Sequence, residues 1–218
     1  IQLRVAALWR KRFTAELEER YGDAMAATAE CLIDSADLMP SQAVSDSLRD
    51  AATYATLTGD HAAALEFAAA VEGLSSTLRS RAVESQLHRL RANAAAAGGD
   101  TDAAASAYGI ALANARNLGY AYWLGPVLHD YGAWLASTDR ADEAAPLLAE
   151  ARELFERMGA AFWLERLDAI APPRGGSGID GRDVVQRERH ELARAVGDRH
   201  LRRAVEAVEM KFCPVRRV

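Results

Sequence analysis

The chain has 218 residues, half of them hydrophobic, which is enough to bury a sizeable core and excludes a disordered protein. Its formal net charge of -5 is uneven: residues 172–218 hold 11 basic and 7 acidic side chains, leaving -9 on the residues before them, and an acidic body argues against a nucleic-acid partner because phosphate contacts need clustered positive charge. Two distant cysteines, Cys31 and Cys213, make no disulfide framework, no apolar run reaches the length of a membrane span, and Ile1–Phe13 carries Arg4, Arg10, Lys11 and Arg12 in place of a signal-peptide pattern, so a cytoplasmic setting with no membrane partner is expected.

Alanine makes up roughly a fifth of the chain, well above ordinary usage; it has the best helix propensity and lets helices approach closely. Arginine dominates the basic residues, a composition that hints at a GC-rich genome. Along the chain a turn followed by an alanine-rich helix recurs. Gly22-Asp23 precedes Ala24-Met25-Ala26-Ala27, Gly59-Asp60 precedes Ala62-Ala63-Ala64-Leu65, Gly99-Asp100 precedes Ala103-Ala104-Ala105, and Asp139-Arg140 precedes Glu143-Ala144-Ala145. The last three turns begin at 59, 99 and 139, a period of 40 twice over, and the first begins 37 residues before the second. Glycine ends one helix in the left-handed conformation and aspartate caps the next. Apolar residues flank the turns at helical spacing: Leu124, Val127, Leu128, Tyr131, Trp134 and Leu135 before the last, Leu147, Leu148, Ala151, Leu154, Phe155 and Met158 after it. No β-branched alternating run of useful length occurs. The expected fold is all-α, an α-solenoid of antiparallel helix hairpins over Gln2–Met39, Ser41–Leu78, Ser80–Leu118 and Tyr120–Met158.

Residues 159–170, with Phe162, Trp163, Leu164 and Leu167, read as a short helix capping the last pair, which closes a repeat domain at 1–171. Pro172-Pro173-Arg174-Gly175-Gly176-Ser177-Gly178 is a linker signature, placed at 172–181. The remainder, 182–218, reads as a charged helical tail broken at Gly197-Asp198, either a fifth degenerate hairpin or an appendage. A start at Ile1 fits two alternatives, a piece of a larger regulator with a domain upstream or a free-standing scaffold.

These units resemble tetratricopeptide repeats. With each turn taken as the fifteenth position, Leu128, Gly132, Leu135, Ala144, Leu148 and Ala151 fall on the signature points of the fourth unit. Ala92, Ala104, Tyr108 and Ala111 do so in the third; Leu48, Ala52, Ala55, Ala64, Ala68 and Val71 do so in the second. The first unit matches poorly, and the period exceeds the usual 34. The stretch from Tyr131-Gly132-Ala133-Trp134 to Trp163-Leu164-Glu165-Arg166 also resembles the C-terminal repeat region of actinobacterial signalling regulators, multidomain ATPases that carry a cyclase or LuxR-type output domain. The resemblance implies a sensor or scaffold arm that binds protein or peptide and biases an attached or partner signalling domain. The tail shows no LuxR-type helix-turn-helix.

In the fold that the repeats resemble, the fifth position of each unit faces the inner groove. Here those positions hold Arg49, Arg89 and His129, with Gln86 and Asn93 on the same face of the third unit. Such a ladder of donors suits an acidic peptide or a terminal carboxylate, against the plainer reading of a solvated polar face. On the peptide reading, Arg89→Glu lowers affinity with little change in melting. The alternative function is a small-molecule sensor domain of a transcriptional regulator, its ligand between helices near Trp123, His129 and Trp134. Tyr120, Tyr122 and Trp123, with Pro126 in the same helix, suit packing on the preceding hairpin better than anchoring a partner. Gly175–Gly178 lacks the lysine of a phosphate loop, no nucleophile elbow occurs, and Cys213 and the five histidines form no set with metal-ligand spacing. No catalytic centre, cofactor or metal is therefore expected.

Overall fold

The computed structural model of the protein describes residues 2–35, 41–73 and 79–170. Over these residues the chain is helical throughout, without a strand. The elements are α1 (Gln2–Leu17), α2 (Tyr21–Ser35), α3 (Ser41–Thr58), α4 (His61–Glu72), α5 (Arg81–Ala97), α6 (Thr101–Leu118), α7 (Ala121–Ser137), α8 (Ala141–Met158) and α9 (Ala161–Ile170). Successive helices pair, α1 with α2, α3 with α4, α5 with α6 and α7 with α8. The first helices also pack side by side, α3 on α5 and α5 on α7, and α9 lies against α7 and α8. This is a helical-repeat stack in which each unit touches its neighbours. The expected linker at 172–181, the expected tail at 182–218 and Cys213 lie outside the described residues.

The turns follow the glycine-aspartate logic at two places and depart from it at two. Gly59 and Gly99 are left-handed, with φ of +76° and +79°, and the Asp60 and Asp100 carboxylates accept hydrogen bonds from the Ala63 and Ala103 N–H groups, both at 3.0 Å. At the last turn Asp139 takes the left-handed place, φ +58°, and Arg140 provides no side-chain cap, pairing with Glu143 instead at 2.7 Å. The expected turn at Gly22-Asp23 is corrected. Those residues lie inside α2, and the turn is Glu18–Arg20, with Glu19 left-handed at φ +57°. Arg20 holds it, its Nε donating to Glu18 at 2.9 Å and its Nη1 to Asp23. Left-handed residues thus stand at 19, 59, 99 and 139, each 40 after the last, and the period includes the first unit.

Alanine lines the seams. Ala52, Ala64, Ala92, Ala104, Ala111 and Ala151 are fully buried, and every other signature position named above is buried except Leu148, which is half-buried. The tightest approach is between α7 and α8. A Cβ added at Gly125 lies 2.5 Å from the Phe155 ring, and one added at Gly132 lies 2.6 Å from Leu148 Cδ2. Phe155 is itself fully buried, so its ring has nowhere to go.

Gly125→Ala is therefore expected to lower stability by about 1–3 kcal/mol through overpacking, even though alanine is the better helix former. Gly109, exposed on α6, has nothing within 4 Å of an added Cβ, and Gly109→Ala is expected to raise stability by about 0.5–1 kcal/mol. Urea unfolding midpoints of the two variants moving the same way would contradict this account of the α7–α8 seam.

Candidate functional site

The face shared by the first helices carries a buried polar network. On α5, Gln86, Arg89 and Asn93 recur at helical spacing and share one side. The Arg89 Nε donates to Asp130 Oδ2 on α7 at 2.8 Å, Nη1 donates to the Arg49 carbonyl at 3.3 Å and Nη2 to Thr53 Oγ1 at 3.3 Å. Asn93 Nδ2 donates to the same Asp130 oxygen at 2.9 Å and to Thr56 Oγ1 at 3.1 Å, and Tyr108 Oη on α6 donates to Asn93 Oδ1 at 2.8 Å. The other Asp130 oxygen lies 2.8 Å from His129 Nδ1. A carboxylate there accepts, so Nδ1 carries the proton. Burial alone raises the Asp130 pKa; Arg89, His129 and Asn93 outweigh it and hold the carboxyl well below its ordinary value.

The sequence reading brings Arg49, Gln86, Arg89, Asn93 and His129 to one face, and they do gather there, but as an internal network. Arg89 and Gln86 have no exposed surface, and Asn93 and His129 are buried. Arg49 is half-buried, its Nε donating to Asp50 at 3.0 Å and its Nη1 lying 3.9 Å from Asp46. Burial, with the like charges of Arg89 and Arg12, draws its pKa down to about 10 against the pull of Asp46, so it stays charged at neutral pH. Arg12 on α1 pairs with Asp50 on α3 just as Arg89 on α5 pairs with Asp130 on α7.

Two aromatic residues reach across this face. Tyr122 at the start of α7 donates its hydroxyl to Asp46 on α3 at 2.9 Å, with the Arg49 guanidinium 4.2 Å from its ring centroid. Trp163 on α9 lies edge-on to His129 at 5.1 Å, with Arg89 at 5.7 Å. A side chain on α7 touches α3 past α5, and one on α9 touches α5 past α7, so the row of first helices bends inward. Trp123 packs under Tyr122, and Tyr120 is exposed.

Inside the bend, between α5, α7 and α9, lies a cavity of about 450 Å³. Its buried wall is Asn93, Tyr108, His129, Asp130 and Trp134; exposed Thr56, Ser137 and Ala169 stand on its rim. Of the residues expected around a small ligand, His129 and Trp134 line it and Trp123 does not. His129 Nε2 is buried with no hydrogen-bond partner among the described residues, and so is Arg166 Nε on the α9 side. Burial lowers the Arg166 pKa, opposed by Asp130. With Nδ1 fixed by Asp130, the neutral ring of His129 offers the cavity one oriented lone pair at Nε2. No hydroxyl or thiol of the described residues bonds it, so the arrangement presents an oriented acceptor. Sequence reasoning missed Asp130, Tyr108 and Arg166. Asp130 was detectable, because Arg49-Asp50 and His129-Asp130 repeat two periods apart.

No protein-family model matches the chain, and no curated protein matches it.

Removing one member of the Arg89–Asp130 pair leaves a buried charge alone, so Asp130→Ala is expected to cost about 3–5 kcal/mol in urea unfolding. Arg89→Glu, expected from the sequence to leave melting nearly unchanged, places two carboxylates together and is corrected to a severe loss. The sign with pH is fixed. The folded pKa of Asp130 lies below its unfolded value of about 3.9, so the pair's contribution is complete above that value and is lost as pH falls through the folded pKa. Between about pH 4 and pH 2, wild type should lose stability more steeply than Asp130→Asn; equal slopes rule out this carboxylate as a source of acid lability.

Proposed function

We propose that the chain is a ligand-binding helical-repeat module of tetratricopeptide type, the sensor arm of a larger signalling protein, and that a small molecule occupies the inner cavity. One observation carries this reading: His129 Nε2, buried, oriented by Asp130 and unpartnered, on the wall of a cavity of about 450 Å³. A buried polar atom without a partner costs about 1–3 kcal/mol, and a ligand that donates to it recovers that cost. The volume falls among those of small-molecule sites, roughly 300–1,000 Å³.

The peptide-groove reading has less support, because the donors it relies on already have acceptors. Arg89 is engaged by Asp130, and Arg49 by Asp50 and Asp46. An acidic peptide on this face meets three carboxylates held in place by those same arginines. The regulatory role follows from where the cavity sits. α9 forms one wall of it, with Leu167 in the core shared with α7 and α8 and Trp163 against His129 and Arg89, so an occupant that bridges α7 and α9 changes how firmly α9 is docked. That is differential binding to two states of a helix, the requirement for any ligand-driven switch.

Ala133 is half-buried on the cavity wall, and Ala133→Phe obstructs the space while leaving every residue of the polar network in the chain. Differential scanning fluorimetry of the full chain against a metabolite panel is expected to give a ligand that raises wild-type melting and leaves Ala133→Phe unmoved. A ligand that stabilises both equally binds elsewhere and removes the cavity reading.

A further inference from the structure

We infer that the inner cavity takes a small organic acid, its carboxylate paired with Arg166 and a hydroxyl group donating to His129 Nε2. The inference rests on the cavity reading above and adds the chemical class of the occupant.

Charge at the inner face is matched almost throughout. Arg12 has Asp50, Arg49 has Asp50 and Asp46, and Arg89 has Asp130. Arg166 breaks the pattern. It is half-buried on α9, its guanidinium rests 5.7 Å and 5.9 Å from the ring centroids of Phe162 and Trp163, and it has no carboxylate at ion-pair distance among the described residues. A cation half drawn from water with no carboxylate in contact is under-compensated, the charge of Asp130 reaching it only at longer range, and its Nε–H is left without an acceptor at the cavity.

The acid on the cavity wall cannot serve it. Asp130 already accepts from Arg89, Asn93 and His129, and an incoming cation finds that same carboxylate occupied while it approaches Arg166 and Arg89. An incoming anion finds an unpaired guanidinium, which binds carboxylates through charge-assisted hydrogen bonds. His129 selects the second group. Its Nδ1–H is committed to Asp130, so in the neutral ring Nε2 accepts, and a neutral hydroxyl donates to it without adding positive charge beside Arg166. The two anchoring residues both line the cavity and both lie against the Trp163 ring, His129 at 5.1 Å and Arg166 at 5.9 Å, and the occupant is one that spans them. Ala96, Ala133, Trp134 and Ile170 supply an apolar wall for its carbon body. The chemistry is that of a 2-hydroxy acid or a close analogue.

The test is melting of the full chain with lactate, malate and mandelate, each beside its uncharged amide, and with trialanine as a free-acid peptide. At a hundredfold excess over Kd, at least one hydroxy acid is expected to raise Tm by about 5 °C while its amide does not. Arg166→Gln is expected to abolish that rise, and Arg166→Lys to keep part of it. Should Arg166→Gln not fold, the acid-against-amide comparison on wild type still decides. Amides that work as well as acids, or a rise that survives Arg166→Gln, overturn the organic-acid assignment; loss of that rise in Ala133→Phe then leaves the cavity reading standing. A rise with trialanine alone overturns it in favour of a peptide terminus. No rise with any hydroxy acid overturns it as well, and silence across the wider metabolite panel removes the cavity reading too.

Discussion

The Arg89–Asp130 pair sets the geometry of the inner face. Both groups are withdrawn from water, a transfer that is unfavourable for each ion taken alone and is offset only when geometry is good and the remaining donors and acceptors are filled. Here they are filled. Asp130 takes hydrogen bonds from three side chains, and Arg89 reaches a backbone carbonyl and a threonine hydroxyl besides the carboxylate. A network satisfied to this degree works only at one register of α5 against α7, and a slip of a single turn leaves charges unpaired in a low-dielectric interior. The pair therefore fixes how the third and fourth hairpins meet, and with that the bend in which the open cavity lies.

The same device recurs along the stack. Arg12 and Asp50 join α1 to α3, and Arg89 and Asp130 join α5 to α7; between these two junctions Arg89 also reaches back to α3 through Thr53 and the Arg49 carbonyl. Alanine seams alone specify register weakly, because small apolar surfaces fit one another in several offsets. Charged pairs placed on the first helices add the specificity that alanine lacks, at a desolvation cost that the seams' apolar burial offsets.

Much of the scaffold was legible in the sequence, for identifiable reasons. Gly59-Asp60 and Gly99-Asp100 announce themselves because each residue type matches one backbone requirement, a left-handed φ and an N-cap acceptor. The turn at Glu19 was not legible, since a left-handed glutamate is rare and carries no compositional mark; Gly22 nearby drew the assignment three residues too far along. The candidate site was half legible. Spacing by 40 finds Arg49, Arg89 and His129 without regard to where their side chains point. Their burial depends on Tyr122 and Trp163 arriving from helices two hairpin positions away, and no local pattern encodes a contact such as Tyr122 with Asp46. A composition rich in arginine also hides the distinction between a paired arginine and an unpaired one, which separates Arg89 from Arg166.

Small residues explain both the close packing and the cavity. Where a small residue on one helix faces a large side chain on the next, as Gly125 faces Phe155 and Gly132 faces Leu148 along α7 and α8, the seam closes to contact. Where alanines from three helices face one another, as Ala96, Ala133 and Ala169 do around the cavity, no side chain is long enough to fill the centre and space is left. A leucine at Ala96 or Ala133, both half-buried, would occupy part of it and add buried apolar area, a gain of up to about 2 kcal/mol by ordinary transfer energies. The chain instead keeps small residues around a wall that holds an oriented imidazole and a half-buried guanidinium, both with unfilled hydrogen-bonding capacity. Stability alone does not account for that combination. A volume kept open, lined by polar groups that a stable core would have satisfied or omitted, is what the proposed binding role calls for.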